Sequence, residues 1–310
     1  MRISKPKFWD EKKSFYSFLF YPISIIIIFF IFLKKKIIKS SKFSIPVVCI
    51  GNIYLGGTGK TPTTIFLAEK ILEKKINPVI IRKNYKTHHD EYSFIKKYFK
   101  NLIICSSRKK GIVEAVNKKF DIAILDDGFQ DCSIKKDLNI ICFNQKQLAG
   151  NGFVIPAGPL RESLNSLKKA HLIIINGKKD ILFEKKLLKI NQNLDIFYSN
   201  YEIENLNELK NKKLFAVAGI GNPKNFFDLL SQNNLDVEKK LSFPDHYPFS
   251  SKQIDEMISY SKKNNLQIVM TEKDYLRIKN FNISEVKYLK LSLRINEYKK
   301  LLDKIIKLND

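Results

Sequence analysis

An α/β fold is what this chain predicts: a mostly parallel sheet domain, a second and smaller α/β domain after it, and an apolar helix ahead of both. Three observations carry that expectation. Short aliphatic, β-rich runs recur between amphipathic stretches, the rhythm of strand-helix-strand units. A glycine-rich turn at residues 56–59 joins one such run to a helical stretch. Residues 15–33, nineteen in all, carry no charge.

At 310 residues the chain exceeds the roughly 100–200 of one ordinary domain, which suits two units. Hydrophobic residues at 44% and charged ones at 28% supply a real core and exclude a mainly disordered chain. The charge balance stands out. Against 31 Asp and Glu there are 55 Lys and Arg, a formal +24, which points to nucleic acid, an anionic membrane surface or a phosphorylated substrate as partner. Heavy use of Lys, Ile, Asn and Phe along the whole chain makes part of the excess compositional drift. Cys49, Cys105, Cys132 and Cys142 form no C-x-x-C pair, and three of them end or lie within apolar runs, so reduced, packed thiols are expected.

As a helix, the uncharged segment would be roughly 28 Å long, about the hydrocarbon thickness of a bilayer. No small-residue cleavage site follows it. Instead Lys34, Lys35, Lys36, Lys39 and Lys42 do, as at a headgroup surface. Arg2, Lys5, Lys7, Lys12 and Lys13 precede it, so basic residues flank both ends and orientation is weakly specified. Pro22 interrupts it, which leaves both a full crossing and an interfacial arrangement open. Residues 1–42 are therefore read as a membrane-anchoring segment, with ten basic against two acidic side chains.

Strands are expected at 47–50, 79–82, 102–105, 122–126, 138–143 and 172–175, and a helix from 60 to about 74, where Thr64, Leu67, Ala68, Ile71 and Leu72 share a face. Residues 43–178 thus form the first domain. The Lys/Asn/Leu-rich stretch 179–211 has no chemical motif and suits a connector. Residues 212–310 form the second domain, with strands at 214–218 and 267–271 and helices at 225–231 and 298–308.

The chemistry concentrates in IGN-IYLGGTGKTP, a strand, a glycine-rich turn and a helix start. This is a Walker A phosphate loop in its proper context: Tyr54, Leu55, Gly56, Gly57, Thr58, Gly59, Lys60 and Thr61. The glycines let backbone N–H groups turn around phosphate oxygens, Lys60 reaches the β/γ-phosphates and Thr61 serves Mg²⁺ at the helix N-terminus. The first position is Tyr54 where the motif has glycine. Four apolar residues leading into Asp126 and Asp127 read as the Walker B pair, one aspartate for the metal and its neighbour for water or Lys60.

These residues resemble the tetraacyldisaccharide 4'-kinase family, across nearly the whole chain: VVCIGNIYLGGTGKTP, LDDGFQ, NGFVIPAGPLRE, VAGIGNPKNFF, FPDHYPF and MTEKD in this order. The resemblance implies a P-loop kinase that uses ATP and Mg²⁺ at the cytoplasmic face of the bacterial inner membrane. It phosphorylates the 4' hydroxyl of an acylated glucosamine disaccharide 1-phosphate, giving lipid IVA in lipid A synthesis. It further implies that anionic inner-membrane lipids are neighbours and that Arg161 binds an anion, with Glu162 on the metal side or paired at a helix start. Arg108 meets the substrate's phosphate or is a solvated cation. Asp90, in a degraded GDEP-type motif, matches the family's hydroxyl-activating aspartate, and His246 its partner; a solvated loop and a braced turn are the plainer readings. Departures are Lys83 where the family has arginine and Asp131 where it has histidine. Thr271, Glu272, Lys273 and Asp274, which follow a strand, form either a second-domain contact to nucleotide or substrate or a capping turn. A membrane-tethered P-loop ATPase or GTPase switch is the alternative function. Nucleic acid ranks last, since no RNP, helix-turn-helix or zinc motif accompanies the charge.

Overall fold

The computed structural model describes residues 6–11, 14–85, 89–281 and 283–309, and of His89 and Asp90 the backbone only. The elements are α1 (Phe15–Ile37), β1 (Val47–Gly51), α2 (Lys60–Leu72), β2 (Pro78–Lys83), α3 (His89–Tyr98), β3 (Leu102–Cys105), α4 (Arg108–Asn117), β4 (Ile122–Asp126), β5 (Leu138–Asn144), β6 (Leu172–Asn176), α5 (Ile181–Ile190), β7 (Asp195–Ile203), α6 (Leu206–Leu209), β8 (Leu214–Ala218), α7 (Pro223–Gln232), β9 (Val237–Ser242), α8 (Ser251–Lys263), β10 (Gln267–Thr271), α9 (Glu272–Ile278), β11 (Val286–Leu289), β12 (Leu291–Ile295) and α10 (Tyr298–Ile306).

Two sheets organise them, in the orders β12-β7-β6-β5-β1-β4-β2-β3 and β11-β10-β8-β9. The pairs from β3 to β7 and those of the smaller sheet are parallel. Parallel strands covered on both faces must be apolar throughout, and β1 and β4 are buried at every position. The α/β class is therefore as expected, and the phosphate-loop strand β1 lies in the middle of the larger sheet.

The domain boundaries need correction. Residues 179–211, expected as a connector, form α5, β7 and α6, and β7 pairs with β6 inside the larger sheet. Among the described residues the larger unit takes 6–84, 98–200 and 293–309, and the smaller takes 85–97 and 201–292. So α10 returns to the larger unit, where Tyr298 meets Phe66 edge to face at 5.6 Å. The reason is physical. Near a sheet edge a strand buries only part of its length, and β7 exposes Asn200 and Glu202, so its sequence lacks the unbroken apolar run of a central strand.

In α1 the burial is inverted. Ser17 and Ser24 are buried while Phe15, Phe18, Ile26, Phe29 and Phe30 are each more than half exposed. Ser24 Oγ donates to Val154 O (2.8 Å) and accepts from Ala157 N (3.1 Å), and Asn151 Nδ2 donates to Ser17 Oγ (3.0 Å). Ahead of the helix Trp9 Nε1 donates to Pro156 O (3.0 Å), and near its end Lys35 pairs with Glu162 (2.6 Å). Only 11% of its apolar window is buried, unlike a core helix, so its outer face is an exposed apolar surface.

Candidate active site

Register places the two acidic and phosphate-loop segments side by side: Ile50 of β1 is opposite Asp126 of β4, and Asp127 N donates to Ile50 O (2.9 Å). Both strands end here, at the carboxyl edge where the strand order switches, the usual ligand crevice of such sheets. Asn52, fully buried, knits the loop from beneath: its Nδ2 donates to Tyr54 O (2.7 Å), Gly56 O (3.2 Å) and Thr58 Oγ1 (3.1 Å). Gly59 (φ 86°) and Gly56 (φ 141°) take conformations that side chains oppose. From Lys60 the chain is helical, and its first-turn N–H groups face the loop opening. Tyr54, expected as part of the phosphate cradle, is 1% exposed. Its ring packs beneath Gly56, so it props the loop and only its backbone remains for a phosphate.

Five charged groups meet below this loop. Asp126 is wholly buried; Arg82 forms an ion pair with its Oδ2, and Thr61 Oγ1 donates to the same oxygen (3.1 Å). Asp126 Oδ1 is buried and receives no donor among the described residues. Asp127 adopts φ 60°. Arg161 Nη1 donates to both its oxygens (3.0 and 3.1 Å), and Lys60 Nζ lies 3.7 Å away. Burial would raise the Asp127 carboxyl, but the charges of Lys60 and Arg161 outweigh it and bring it to about 2. Burial lowers the Lys60 ammonium from its usual value, with Asp127 opposing.

Two expected site residues are directed elsewhere. Glu162, expected beside the metal, is spent on Lys35 of α1, because consecutive residues Arg161 and Glu162 face opposite ways. Arg108, expected on substrate, is 7% exposed and braces the turn after β4: its Nη2 donates to Asp127 O (2.7 Å) and Nη1 lies 3.5 Å from Asp131. The residues that sequence reasoning missed are Arg82, Asn52 and Gln130, whose Nε2 donates to Asn52 O (2.8 Å). An arginine closing an otherwise aliphatic strand was the available signal for Arg82.

In the smaller unit His246 also takes a left-handed backbone (φ 56°), with its N donating to Asp245 Oδ1 (3.0 Å) and Nε2 3.8 Å from the same carboxylate. The side chain of Asp90 lies outside the described residues, as do residues 86–88. The backbone of Asp90 opens α3, and α3 is tied to the TEKD segment by crossed ion pairs, Lys97 with Glu272 and Lys273 with Glu91 (3.4 Å). The same segment caps α9 through Thr271. It also buries Asp274, which accepts from Gly219 N (2.9 Å), Thr271 Oγ1 (2.6 Å) and Arg277 Nη1 (2.6 Å).

The chain is similar to known proteins along nearly its whole length. The family model described as tetraacyldisaccharide-1-P 4'-kinase matches residues 16–308. A protein of Pelagibacter ubique named tetraacyldisaccharide 4'-kinase is 42% identical, over 100% of this chain and 99% of its own. One of the same name from Rickettsia akari is 31% identical over 99% and 98%. Among solved structures, LpxK from Aquifex aeolicus in complex with ATP superposes with a TM-score of 0.74 at 23% identity, covering 95% of this chain and 99% of that one.

Proposed function

Since this chain belongs to the tetraacyldisaccharide 4'-kinase family, we propose that it transfers the γ-phosphoryl group of ATP to the 4' hydroxyl of an acylated glucosamine disaccharide 1-phosphate, giving lipid IVA in lipid A synthesis. The observation that carries the reading is the paired arrangement under the phosphate loop, Thr61 with Asp126 and Lys60 with Asp127.

Phosphoryl transfer is mostly positioning and charge neutralisation. The loop N–H groups and the start of α2 hold the phosphates. Lys60 supplies charge to the transferring group, and Asp127, kept ionised by Lys60 and Arg161, fixes where that ammonium sits. Mg²⁺ fits this site: Asp126 Oδ1 is a buried carboxylate oxygen without a donor among the described residues, on the same carboxylate whose Oδ2 accepts from the Thr61 hydroxyl. Among the described residues no group of three or more His, Cys, Asp or Glu converges, so phosphate oxygens and water would complete its shell. When bound it would neutralise the triphosphate's negative charge.

The attacking hydroxyl must lose a proton, and Asp90 with His246 as its orienting partner is the proposed pair. Their support is the family motif and the constrained backbone at His246. The inverted helix α1 supports an interfacial seat on the inner membrane, with the catalytic units on the cytoplasmic face. It is engaged with the body from Ser17 to Lys35, eighteen residues or roughly 27 Å of helix, and a helix held along its length lies down more readily than it crosses.

The test is a transfer assay with purified full-length protein, ATP and Mg²⁺, with and without the acylated disaccharide monophosphate. Labelled phosphate should appear in the lipid and depend on it. Hydrolysis without acceptor that exceeds transfer would favour the tethered ATPase instead.

A further inference from the structure

The crossover from β4 to β5, residues 127–137, contains no helix. Where a doubly wound sheet usually has one, the larger unit has a cavity of about 340 Å³ roofed by the end of α1, within the size range of small-ligand sites. Four lysines and one carboxylate line it: Lys35, Lys135, Lys136 and Lys169 against Glu162. Lys35 is shared with Glu162. Lys136 is tethered to loop carbonyls, donating to Phe129 O and Asp131 O. Lys135 and Lys169 are exposed and form no ion pair among the described residues. Asn139, also in the lining, is 8% exposed; its Nδ2 donates to Lys169 O (3.0 Å), and its buried Oδ1 receives no donor among the described residues. The cavity therefore offers a surplus of ammonium charge beside one unsatisfied acceptor, which suits a phosphate ester carrying a hydroxyl.

Its depth follows from α1. The uncharged stretch of that helix ends at Leu33, and Lys34, Lys35, Lys36, Lys39 and Lys42 follow. Whether α1 lies in the interface or crosses it, residues 34–42 belong at headgroup level, and the cavity opens beside them. It also lies apart from the strand ends where phosphoryl transfer takes place. Asn139 is opposite Cys49, two residues below Gly51, or roughly 7 Å down the sheet.

We propose that this cavity is a headgroup site for an anionic glycerophospholipid of the phosphatidylglycerol type, its phosphate on the lysines and a glycerol hydroxyl donating to Asn139. The site rests on the reading of α1 as the membrane-seated element. It is distinct from the nucleotide site, although the consecutive residues Arg161 and Glu162 belong one to each.

The test is flotation of full-length protein on vesicles of phosphatidylcholine alone, or mixed with phosphatidylglycerol or phosphatidylserine at equal mole fraction. Diffuse attraction depends on charge and treats the two anionic lipids alike. A built site prefers phosphatidylglycerol, by roughly five- to tenfold if the added contact resembles that of one lysine. Lys135→Glu/Lys169→Glu should abolish the preference, while Lys34→Glu/Lys36→Glu, with the same charge change on the helix's outer side, should weaken binding to both lipids and keep it. Acceptor KM in phospholipid-free detergent micelles should be unchanged in the first variant, which also shows that it folds. Equal binding to both anionic lipids by wild type, or equal loss of preference in both variants, overturns the site. So does a raised acceptor KM in micelles with vesicle preference intact, which would assign the cavity to the acceptor's own phosphate. Failure of wild type to float on any vesicle would instead overturn the membrane reading of α1, and the site with it.

Discussion

Replacing Arg82 with Met isolates a buried charge. Arg82 is 6% exposed and Asp126 is 0% exposed; without the guanidinium, Asp126 keeps one donor among the described residues, the Thr61 hydroxyl. An exposed pair would contribute about 0–1 kcal/mol, but breaking a buried pair from one side costs about 3–5 kcal/mol, because the remaining charge stays out of water. That is a large part of the roughly 5–15 kcal/mol that keeps a domain folded. At a urea slope of about 1–3 kcal/mol per molar, the midpoint should fall by at least about 1 M. Trp9 is the sole tryptophan and docks on Pro156 in the larger unit, so its fluorescence reports the transition. Asp126→Asn added to Arg82→Met should recover more than half of the loss, since no unpaired charge remains. A loss under about 1 kcal/mol, or single losses that simply add in the double variant, would refute the assignment of Arg82 as the counter-ion of Asp126.

Lys60→Ala should lower kcat by about 10²–10³ with little change in urea midpoint, because it removes charge stabilisation of the transferring group; steady-state transfer kinetics check it. Asp127 makes stability pH-dependent. Its folded carboxyl, at about 2, titrates below the usual 3.8, so its contribution, about 2 kcal/mol, is full above roughly pH 4 and lost as pH falls to about 2. Urea midpoints of wild type and Asp127→Asn should accordingly converge over that window. Lys97→Glu and Glu272→Lys should each lower kcat by on the order of ten- to a hundredfold through misplacement of α3 and Asp90. The charge-swapped double variant should restore most of the rate, an outcome that general destabilisation would not produce.

Much of the larger unit was legible because its signals are local. The runs at 102–105 and 122–126 match β3 and β4 end to end: β4 is central and buried at each position, and the edge strand β3 is short and apolar throughout. The phosphate loop was equally plain: glycines at strained turns and a helix start are properties of about fifteen consecutive residues. The edge-proximal β7 was not, because partial burial leaves a mixed pattern. Nor was α3, which belongs with residues far along the chain through Lys97 and Glu272, 175 positions apart.

The sequence by itself determined the α/β class, the phosphate loop with its paired aspartates, the apolar helix and, through ordered motifs, the family. Only the tertiary structure decided which polar groups meet: Arg82 with Asp126 across 44 positions, Arg161 with Asp127 across 34, and the Ser24 hydroxyl with the Val154 carbonyl across 130. It also turned Glu162 from the metal to α1 and gathered four lysines around one cavity. The division has a physical cause. Backbone preference and apolar periodicity act over a few turns of chain, whereas a side chain's partner depends on strand order and register, which are settled only when the whole sheet packs.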